Sequence, residues 1–336
     1  MSKFLKAIER AEHERAGEAA ASAAVDGHPV AAPGRPTAGS HTTNHAPPAA
    51  PDGIVALLQA GDRPTAYGAA LTRRAEESHE GAFSALLEPV PVVTPGRIDD
   101  HLVSLLEPTS FAAEQYRSAR LTIENFRRER GTRLVGVSSP ARGDGKTTTA
   151  INLAGALAQG QDVRVVLVEA DLRRPSMAEM LGLYGGGGLT SYLLDPSLEV
   201  EQVVQRSAGL GFPIIVAGAV AAMPYELLKS PRLTAMFATL LAGFDFVVVD
   251  TPPALAFPDV GILRDVVDGF VLVVRANRTP REQVRQSIGK IGGDRVLGMI
   301  FNADDRMSAT SPYSLDQPRR GFRDYLRHPL GGDRAA

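Results

Sequence analysis

The stretch that decides the fold reads Arg133-Leu-Val-Gly-Val-Ser-Ser-Pro-Ala-Arg-Gly-Asp-Gly-Lys-Thr147, and Thr148-Thr-Ala-Ile-Asn-Leu-Ala154 follows it directly. The first part is an apolar run typical of a buried strand, and the last part has the apolar spacing of a helix. Between them lies a loop with two glycines, whose backbone lets successive N–H groups turn toward an anion. A strand, a glycine-bearing loop and a helix in this order predict a phosphate-binding loop.

The loop supplies the groups that a bound nucleoside triphosphate needs. Lys146 offers a positive charge for the β and γ phosphates, and the Thr147 hydroxyl is a ligand for Mg²⁺. The first glycine of the pattern G-x-x-x-x-G-K-[ST] is replaced by Pro140, so the match is incomplete. Arg142 is either a fork-shaped donor to the phosphates or a solvated surface side chain, and both interpretations stay open. The loop residues expected to bind nucleotide are Arg142, Gly143, Asp144, Gly145, Lys146, Thr147 and Thr148.

The composition excludes several classes of function. The 336 residues include 36 basic and 38 acidic side chains, so no overall charge attracts nucleic acid or acidic lipid. There are no cysteines, which excludes disulfides, thiolate metal sites and cysteine nucleophiles. No apolar run approaches the roughly 18 residues that span a bilayer, and the amino terminus lacks a signal-peptide core. These features predict a soluble, cytoplasmic protein.

Four segments are expected along the chain. Residues 1–18 have the pattern of a short amphipathic helix, which either docks on a partner or frays in solvent. Residues 19–97 are expected to be a disordered or weakly structured linker, because much of this stretch is Ala, Pro, Gly, Ser, Thr and His. A weak helical pattern at Tyr67 to Leu87 has no assigned role. Residues 98–306 should form the folded P-loop domain, and residues 307–336 a flexible tail.

Six apolar runs in the predicted domain have the pattern of buried strands. They are Leu134–Ser138, Val163–Val168, Pro213–Ala217, Phe244–Asp250, Phe270–Arg275 and Val296–Asn302. Helical patterns lie between most of them, at Thr148–Gln159, Pro224–Leu241 and Pro280–Ile291. This alternation predicts an α/β fold with a doubly wound, mostly parallel sheet flanked by helices. Ligands of such sheets bind at the carboxyl ends of the strands, where the phosphate loop falls.

Three carboxylates follow two of these strands. Glu169 and Asp171 come at the end of one strand and point the same way, because side chains two residues apart share a face. Asp250 ends another strand. An isolated aspartate after a strand usually caps a helix or forms a turn. Beside a phosphate loop, however, these carboxylates suit Mg²⁺, which prefers a few oxygen ligands together with water and phosphate.

With these motifs, residues 98–306 resemble the cytosolic bacterial tyrosine kinases of capsule and exopolysaccharide export, a branch of the P-loop ATPases related to cell-division and partition proteins. The family pattern has three parts, Gly-x-Gly-Lys-[Ser/Thr], Asp-x-Asp-x-Arg and Asp-Thr-Pro-Pro. Here they are Gly143-Asp-Gly-Lys-Thr147, Glu169-Ala-Asp-Leu-Arg173 and Asp250-Thr-Pro-Pro253. Glu226-Leu-Leu-Lys-Ser230 and Leu297-Gly-Met-Ile-Phe-Asn302 also match, and Asn302 joins the expected nucleotide-binding residues.

The resemblance implies an ATP- and Mg²⁺-dependent protein-tyrosine autokinase that regulates polysaccharide polymerisation or export. Its implied catalytic residues are Lys146, Glu169, Asp171 and Asp250, and its implied metal ligands are Thr147, Asp171 and Asp250. Either Asp171 or Glu169 accepts the tyrosine proton. The implied partner is a separate membrane-spanning chain-length regulator, which would hold the protein at the inner face of the cell membrane. A cognate tyrosine phosphatase is a further candidate partner, and no nucleic acid is expected.

A fourth match concerns assembly. Glu114-Gln-Tyr-Arg-Ser-Ala-Arg120 fits the family's Glu-x-x-Arg-x-x-Arg signature, which reaches into the neighbouring subunit of a ring. The spacing of three places Glu114, Arg117 and Arg120 on one helical face. Without the family, such charges are usually a weak surface pair. The resemblance therefore implies a homo-oligomer built through these residues.

The chain departs from the family in the second motif and in the tail. Glu169 replaces an aspartate, and its longer arm shifts the carboxylate oxygens. The tail has only Tyr313 and Tyr325 as phosphoacceptors, where relatives have a cluster of tyrosines. Arg319-Arg-Gly-Phe-Arg-Asp-Tyr-Leu-Arg327 also has the pattern of a short basic amphipathic membrane helix, which is a rival use of the tail.

Two alternative functions remain. The first is a nucleotide-dependent switch or scaffold in the same polysaccharide machinery, which hydrolyses ATP without tyrosine transfer; Glu169 and the sparse tail tyrosines favour it. The second is a partition-type ATPase acting on DNA. The sequence offers no concentrated basic face for DNA outside the tail, and Ala141 stands where that group has its signature lysine.

Overall fold

The structure, a computed structural model, describes residues 79–184 and 187–303. Its centre is a six-stranded sheet in which all neighbouring strands are parallel, in the order β5-β3-β6-β2-β7-β8. These strands are β2 (Leu134–Ser138), β3 (Val165–Glu169), β5 (Ile214–Ile215), β6 (Phe246–Asp250), β7 (Gly269–Arg275) and β8 (Val296–Asn302). Two further short strands, β1 (Val92–Val93) and β4 (Arg206–Ser207), pair in parallel with each other.

Helices connect the strands. They are α1 (His79–Leu87), α2 (Val103–Leu106), α3 (Phe111–Arg130), α4 (Lys146–Ala158), α5 (Met177–Met180), α6 (Leu189–Leu194), α7 (Pro224–Leu228), α8 (Pro231–Gly243), α9 (Asp259–Val266) and α10 (Arg281–Ile291). From β2 the chain proceeds to β3 and β5 on one side of the sheet, returns to β6 between β3 and β2, and continues to β7 and β8 on the other side. This order is that of a doubly wound parallel sheet, so the predicted fold class is confirmed.

The interior of the sheet is apolar, and its register brings the site residues together. Every residue of β2, β3 and β6 is buried, as expected for a parallel sheet covered on both faces. In the ladder, Asp250 of β6 lies opposite Val137 of β2 on one side and opposite Glu169 of β3 on the other. The carboxyl ends of three adjacent strands therefore meet where β2 leads into the phosphate loop.

The ordered region begins earlier than the sequence suggests. The segment from His79 to 97, assigned above to the linker, contains α1 and β1. Phe83 packs edge-on against Phe244, with ring centroids 5.3 Å apart, and Leu86, Leu87 and Val90 are buried. This segment is ordered because it covers apolar surface beside the start of β6, which a local sequence pattern does not reveal.

The helix predicted from Pro224 to Leu241 is wrong as a single element. The structure has two helices here, α7 and α8, with a break at Lys229 and Ser230. Pro231 has no N–H to continue the first helix, and it occupies the first turn of the second. The Ser230 hydroxyl accepts a hydrogen bond from the N–H of Arg232 (3.3 Å), so it caps α8.

Several predictions concern residues outside the described ranges. These are the amphipathic helix at 1–18, the linker up to residue 78, the tail at 307–336, and the acceptors Tyr313 and Tyr325. Within residues 79–184 and 187–303, no helix has the length and apolar character needed to cross a lipid bilayer.

Candidate active site

The phosphate loop is a turn between β2 and α4 that depends on two glycines. Gly143 has φ +84° and Gly145 has φ +95°, a left-handed backbone that other residues rarely adopt. A Cβ atom on Gly145 would also overlap the side-chain amide of Asn302. Lys146 is the first residue of α4, so the free N–H groups of that helix end lie at the loop and favour a bound anion.

The loop is held by polar contacts around Asp144. Its Oδ2 accepts a hydrogen bond from Ala141 N (2.8 Å), and its Oδ1 accepts one from the Thr279 hydroxyl (2.9 Å). Asn302 donates from Nδ2 to the Asp144 carbonyl (3.0 Å), and Arg275 donates from Nη1 to the Gly143 carbonyl (2.9 Å). The side chains of Asp144 and Asn302 therefore contact the loop itself.

Arg275 and Thr279 were missed in the sequence. Arg275 is the last residue of β7 and Thr279 follows it by four residues. Because β7 neighbours β2 in the sheet, both lie at the carboxyl edge where the phosphate loop begins. Their position at this edge is the sequence signal that could have identified them as site residues. Of the remaining loop residues, Arg142 is exposed and Thr148 is half-buried in the first turn of α4.

Lys146 lies between two carboxylates. Its Nζ is 2.8 Å from Oδ2 of Asp171 and 3.6 Å from Oδ1 of Asp250. Burial alone would lower the pKa of Lys146, but the charges of Asp250 and Asp171 outweigh it and raise that pKa. The lysine therefore stays an ammonium group, ready to neutralise phosphate charge.

Asp250 is the fully buried last residue of β6. Burial and the charges of Glu169 and Asp171 raise the pKa of its carboxyl group, while Lys146 and Thr147 lower it, and the net pKa is about 7. The Thr147 hydroxyl donates to Oδ2 at 2.7 Å. Within the described part of the chain, Oδ1 accepts no hydrogen bond. Its ion pair with Lys146 at 3.6 Å is longer than a hydrogen bond, so a metal cation or an ordered water closer to Oδ1 would satisfy this buried oxygen.

Glu169 makes contacts that the sequence did not indicate. Its Oε1 accepts hydrogen bonds from the N–H groups of Ser176 (2.7 Å) and Met177 (2.8 Å), and its Oε2 accepts one from Ala217 N (2.9 Å). Burial raises the pKa of this carboxyl group, against the lowering effect of these donors and of Lys146. Both oxygens are therefore occupied by backbone, and the expectation that Glu169 points into the site alongside Asp171 is corrected.

Asp171 takes the position facing the lysine. Its Oδ1 accepts a hydrogen bond from Arg174 N (3.2 Å), which orients the carboxylate, while Oδ2 pairs with Lys146. Among the described residues, no group of three or more His, Asp or Glu side chains would by itself hold a metal ion. Any metal here would need oxygen atoms from Thr147 and from phosphate as well.

The residues expected at a subunit contact lie on α3 and touch the far end of α4. Arg117 pairs with Glu114, donates to the Pro108 carbonyl, and donates from Nε to Oε1 of Gln159 at 3.2 Å. Arg120 pairs with Glu124 at 2.7 Å and donates to the Ala156 carbonyl at 3.3 Å. Both arginines are therefore engaged within the chain, while more than half of the Glu114 side chain is exposed (53%).

A parallel sheet with a glycine loop at a helix start, a lysine in that loop and acidic side chains at adjacent strand ends defines a P-loop NTPase. A family model agrees: ParA, described as NUBPL iron-transfer P-loop NTPase, matches residues 131–311. The tyrosine-protein kinase YwqD of Bacillus subtilis is 36% identical, over 67% of this chain and 95% of YwqD. The chain therefore belongs to the bacterial tyrosine kinase family of P-loop NTPases.

Two further comparisons agree. The putative tyrosine-protein kinase EpsB of Ralstonia nicotianae is 30% identical over 75% of this chain, which spans only 35% of EpsB. The solved kinase domain of the Escherichia coli tyrosine kinase ETK superposes with a TM-score of 0.57 at 25% identity, covering 64% of this chain and 84% of that domain. The chain thus corresponds to nearly all of one relative and to about a third of another.

Proposed function

We propose that this chain transfers the γ-phosphoryl group of ATP to tyrosine and thereby regulates polymerisation or export of a capsular polysaccharide or exopolysaccharide. The observation that carries the proposal is the position of Lys146, at the start of α4, between Asp171 and Asp250. This arrangement combines a phosphate-neutralising cation with a carboxylate that can accept a proton.

The residues present fit a magnesium ion. Mg²⁺ prefers oxygen ligands, and the site has the Thr147 hydroxyl and Oδ1 of buried Asp250, which accepts no hydrogen bond in the described part of the chain. Thr147, Asp171 and Asp250 would hold the ion directly or through water. When bound, Mg²⁺ supplies charge neutralisation to the phosphate oxygens.

The chain's own residues supply the rest of the reaction. The ammonium group of Lys146 would leave Asp171 to neutralise the β and γ phosphates of bound ATP. The tyrosine oxygen then attacks the γ-phosphorus, the bond to the β–γ bridging oxygen breaks, and ADP leaves. The hydroxyl proton of tyrosine passes to Asp171. Asp171 is preferred over Glu169 as the acceptor because backbone N–H groups occupy both Glu169 oxygens.

The proposed acceptors are Tyr313 and Tyr325. Each phosphate would add a charge of about −1.5 to −2, so two acceptors give a smaller charge switch than a tyrosine-rich tail. The proposed nucleotide-binding set keeps Asn302 and the loop from Arg142 to Thr148. In this set Asp144 and Asn302 support the loop, as their contacts with it suggest.

We further propose that the protein assembles with copies of itself through Glu114, Arg117 and Arg120, and that a separate membrane-spanning chain-length regulator activates it. Association with such a partner would place the protein at the inner face of the cell membrane. If the protein assembles in this way, light scattering should give a molar mass above that of one chain. The double variant Arg117→Glu/Arg120→Glu should have a lower molar mass than wild type.

The deciding experiment incubates the purified full chain with Mg²⁺-ATP, alone and with the cytosolic end of the membrane partner. Phosphotyrosine is mapped by mass spectrometry in wild type, in Lys146→Met, and in Lys290→Met as a control lysine on α10. Loss of Lys146 should reduce transfer by about 100-fold or more, as for loss of a charge-stabilising donor. ATP hydrolysis without phosphotyrosine under both conditions would contradict the kinase and support the nucleotide switch.

A further inference from the structure

Arg173 and Asp259 form a paired contact that the reaction above does not use. Nε of Arg173 lies 2.6 Å from Oδ2 of Asp259, and Nη2 lies 3.0 Å from Oδ1, so both oxygens of the carboxylate are engaged. The Asp259 side chain is fully buried, and the guanidinium group stacks 4.2 Å from the centre of the Phe257 ring. Two parallel hydrogen bonds from a planar guanidinium group to a buried carboxylate fix the orientation of the two side chains as well as the distance between them.

The pair joins the two segments that carry the site carboxylates. Arg173 comes two residues after Asp171, in the segment that leaves β3. Asp259 begins α9, in the segment that leaves β6 after Asp250. β3 and β6 are neighbours, and Ala170 N still donates to the Asp250 carbonyl at 2.8 Å, one residue past the ladder. Further along the two segments, the Arg173–Asp259 pair connects them again.

The same segment has a second anchor on its other side. Glu169 directly precedes this segment, and the Glu169 carboxylate accepts hydrogen bonds from the N–H groups of Ser176 and Met177 at the far end of the segment. Between these anchors, Asp171 has one backbone donor of its own, Arg174 N. Arg173 therefore ties the middle of this segment, which carries Asp171, to the segment that follows Asp250.

We propose that the Arg173–Asp259 pair is a positioning clamp that sets the spacing between Asp171 and Asp250 and so tunes the affinity of the site for a divalent cation with nucleotide. The inference rests on the proposed function to the extent that it assumes nucleotide binding at the phosphate loop. Arg173 and Asp259 are positioning residues, because they act through the two carboxylates. Mutation of residues that contact and orient metal ligands, without binding the metal themselves, typically changes metal affinity by about 10- to 100-fold.

The test uses Arg173→Lys, which keeps the charge but loses the fork. The chain offers a matched control in Arg127→Lys, because Arg127 pairs at 2.7 Å with Asp245, a buried carboxylate directly before the first residue of the same strand β6. Binding of a fluorescent ATP analogue to the full chain is measured across a Mg²⁺ titration and in EDTA. Urea unfolding of each variant is measured alongside.

Arg173→Lys should raise the Mg²⁺ concentration for half-maximal nucleotide binding about tenfold, with binding in EDTA unchanged. Arg127→Lys should lower the unfolding midpoint without moving the Mg²⁺ dependence. An unchanged Mg²⁺ dependence in Arg173→Lys, or an equal shift in Arg127→Lys, would overturn the proposal. If Arg173→Lys does not fold, Asp259→Asn serves as the second variant, with the same expected shift and the same overturning result.

The readout also separates this proposal from the kinase itself. Wild type that binds nucleotide with Mg²⁺ but makes no phosphotyrosine would contradict the tyrosine kinase, and the clamp would still be decided by the titration. Wild type that binds no nucleotide would overturn both.

Discussion

The ammonium nitrogen of Lys146 lies 2.8 Å from Oδ2 of Asp171, and the exposed fractions of the two side chains are 11% and 5%. The cation and the carboxylate neutralise each other. Under the proposed function, bound phosphate competes with Asp171 for the lysine, and this competition frees Asp171 to accept the tyrosine proton.

Replacing Asp171 by Asn should separate nucleotide binding from phosphoryl transfer. In EDTA, Asp171→Asn should bind ATP at least as tightly as wild type, because Lys146 is no longer held by a charge. Tyrosine transfer should fall by about 10²- to 10⁴-fold, as for loss of a general base. Equilibrium binding and phosphotyrosine formation are measured on the same preparation. Transfer at the wild-type rate would exclude Asp171 as the proton acceptor.

The pKa of about 7 for Asp250 predicts a pH-dependent affinity for Mg²⁺. Below pH 7 the carboxyl group is protonated, so a metal ion must displace the proton and binds more weakly. Mg²⁺-dependent nucleotide affinity should fall as the pH drops from about 8 to about 6, by up to roughly tenfold per pH unit below the pKa. Nucleotide binding with and without Mg²⁺ is measured across this range.

Asp250→Asn provides the control for that pH series. It removes the titrating group, so its weaker Mg²⁺-dependent binding should vary little over the same range. The same slope in Asp250→Asn as in wild type would assign the pH dependence to another residue.

Replacing Glu169 by Asp restores the family's residue and should nevertheless destabilise this protein. The shorter side chain cannot reach the N–H groups of Ser176, Met177 and Ala217 together, which leaves buried donors unsatisfied. The expected loss is about 1–3 kcal/mol in the free energy of unfolding. Urea denaturation compares Glu169→Asp with Glu169→Gln, which keeps the length and one acceptor oxygen. Equal or greater stability of Glu169→Asp would contradict the anchoring role of Glu169.

Asp245 is expected to stabilise the fold in a pH-dependent way. Burial raises its pKa, but the Arg164 N–H and the charges of Arg127 and Arg164 outweigh burial and lower that pKa overall. A lowered folded-state pKa means that the stabilisation is complete above the unfolded-state value and is lost as the pH falls through the folded-state value.

Asp245→Asn should therefore be less stable than wild type at pH 7, by about 1–3 kcal/mol. The difference should shrink below about pH 4, where the unfolded aspartate is already protonated. Urea unfolding at several pH values measures it. A difference that stays constant down to pH 3 would show that the charge of Asp245 is not the source of the stabilisation.

The two loop glycines should respond differently to alanine. At Gly143 a Cβ would meet nothing within 4 Å, so Gly143→Ala has only the strain of its positive φ, about 1–2 kcal/mol. At Gly145 the same strain is joined by overlap with the Asn302 amide, which also supports the loop. Gly145→Ala should therefore weaken nucleotide binding more than Gly143→Ala does. Equal loss in both variants would mean that Asn302 simply moves aside.

The sheet and the phosphate loop could be predicted because their signals are local. β2 is a continuous apolar run, and the two glycines of the loop stand where a left-handed backbone is needed. The role of Glu169 could not be predicted, because Ser176 and Met177 meet it only once the segment after β3 folds back, and Ala217 meets it only once β3 and β5 are paired. The order of 79–97 was missed for the same reason, since Phe83 packs on Phe244, far away in the sequence. Pro231 is a local signal for the break between α7 and α8, but the apolar pattern continues across it and favours a single helix.

Helix α4 has the phosphate loop at its first residue and the arginines of α3 at its last turn. Arg120 holds the carbonyl of Ala156, and Arg117 holds Gln159 just beyond the helix end, roughly 20 Å from the loop. If a neighbouring copy contacts those arginines, it contacts the last turn of the same helix whose first turn carries the phosphate loop. Thermodynamic reciprocity then requires that the neighbour change nucleotide affinity by the same factor as nucleotide changes the affinity between copies. Assembly and nucleotide occupancy would in that case be two measurements of one free energy.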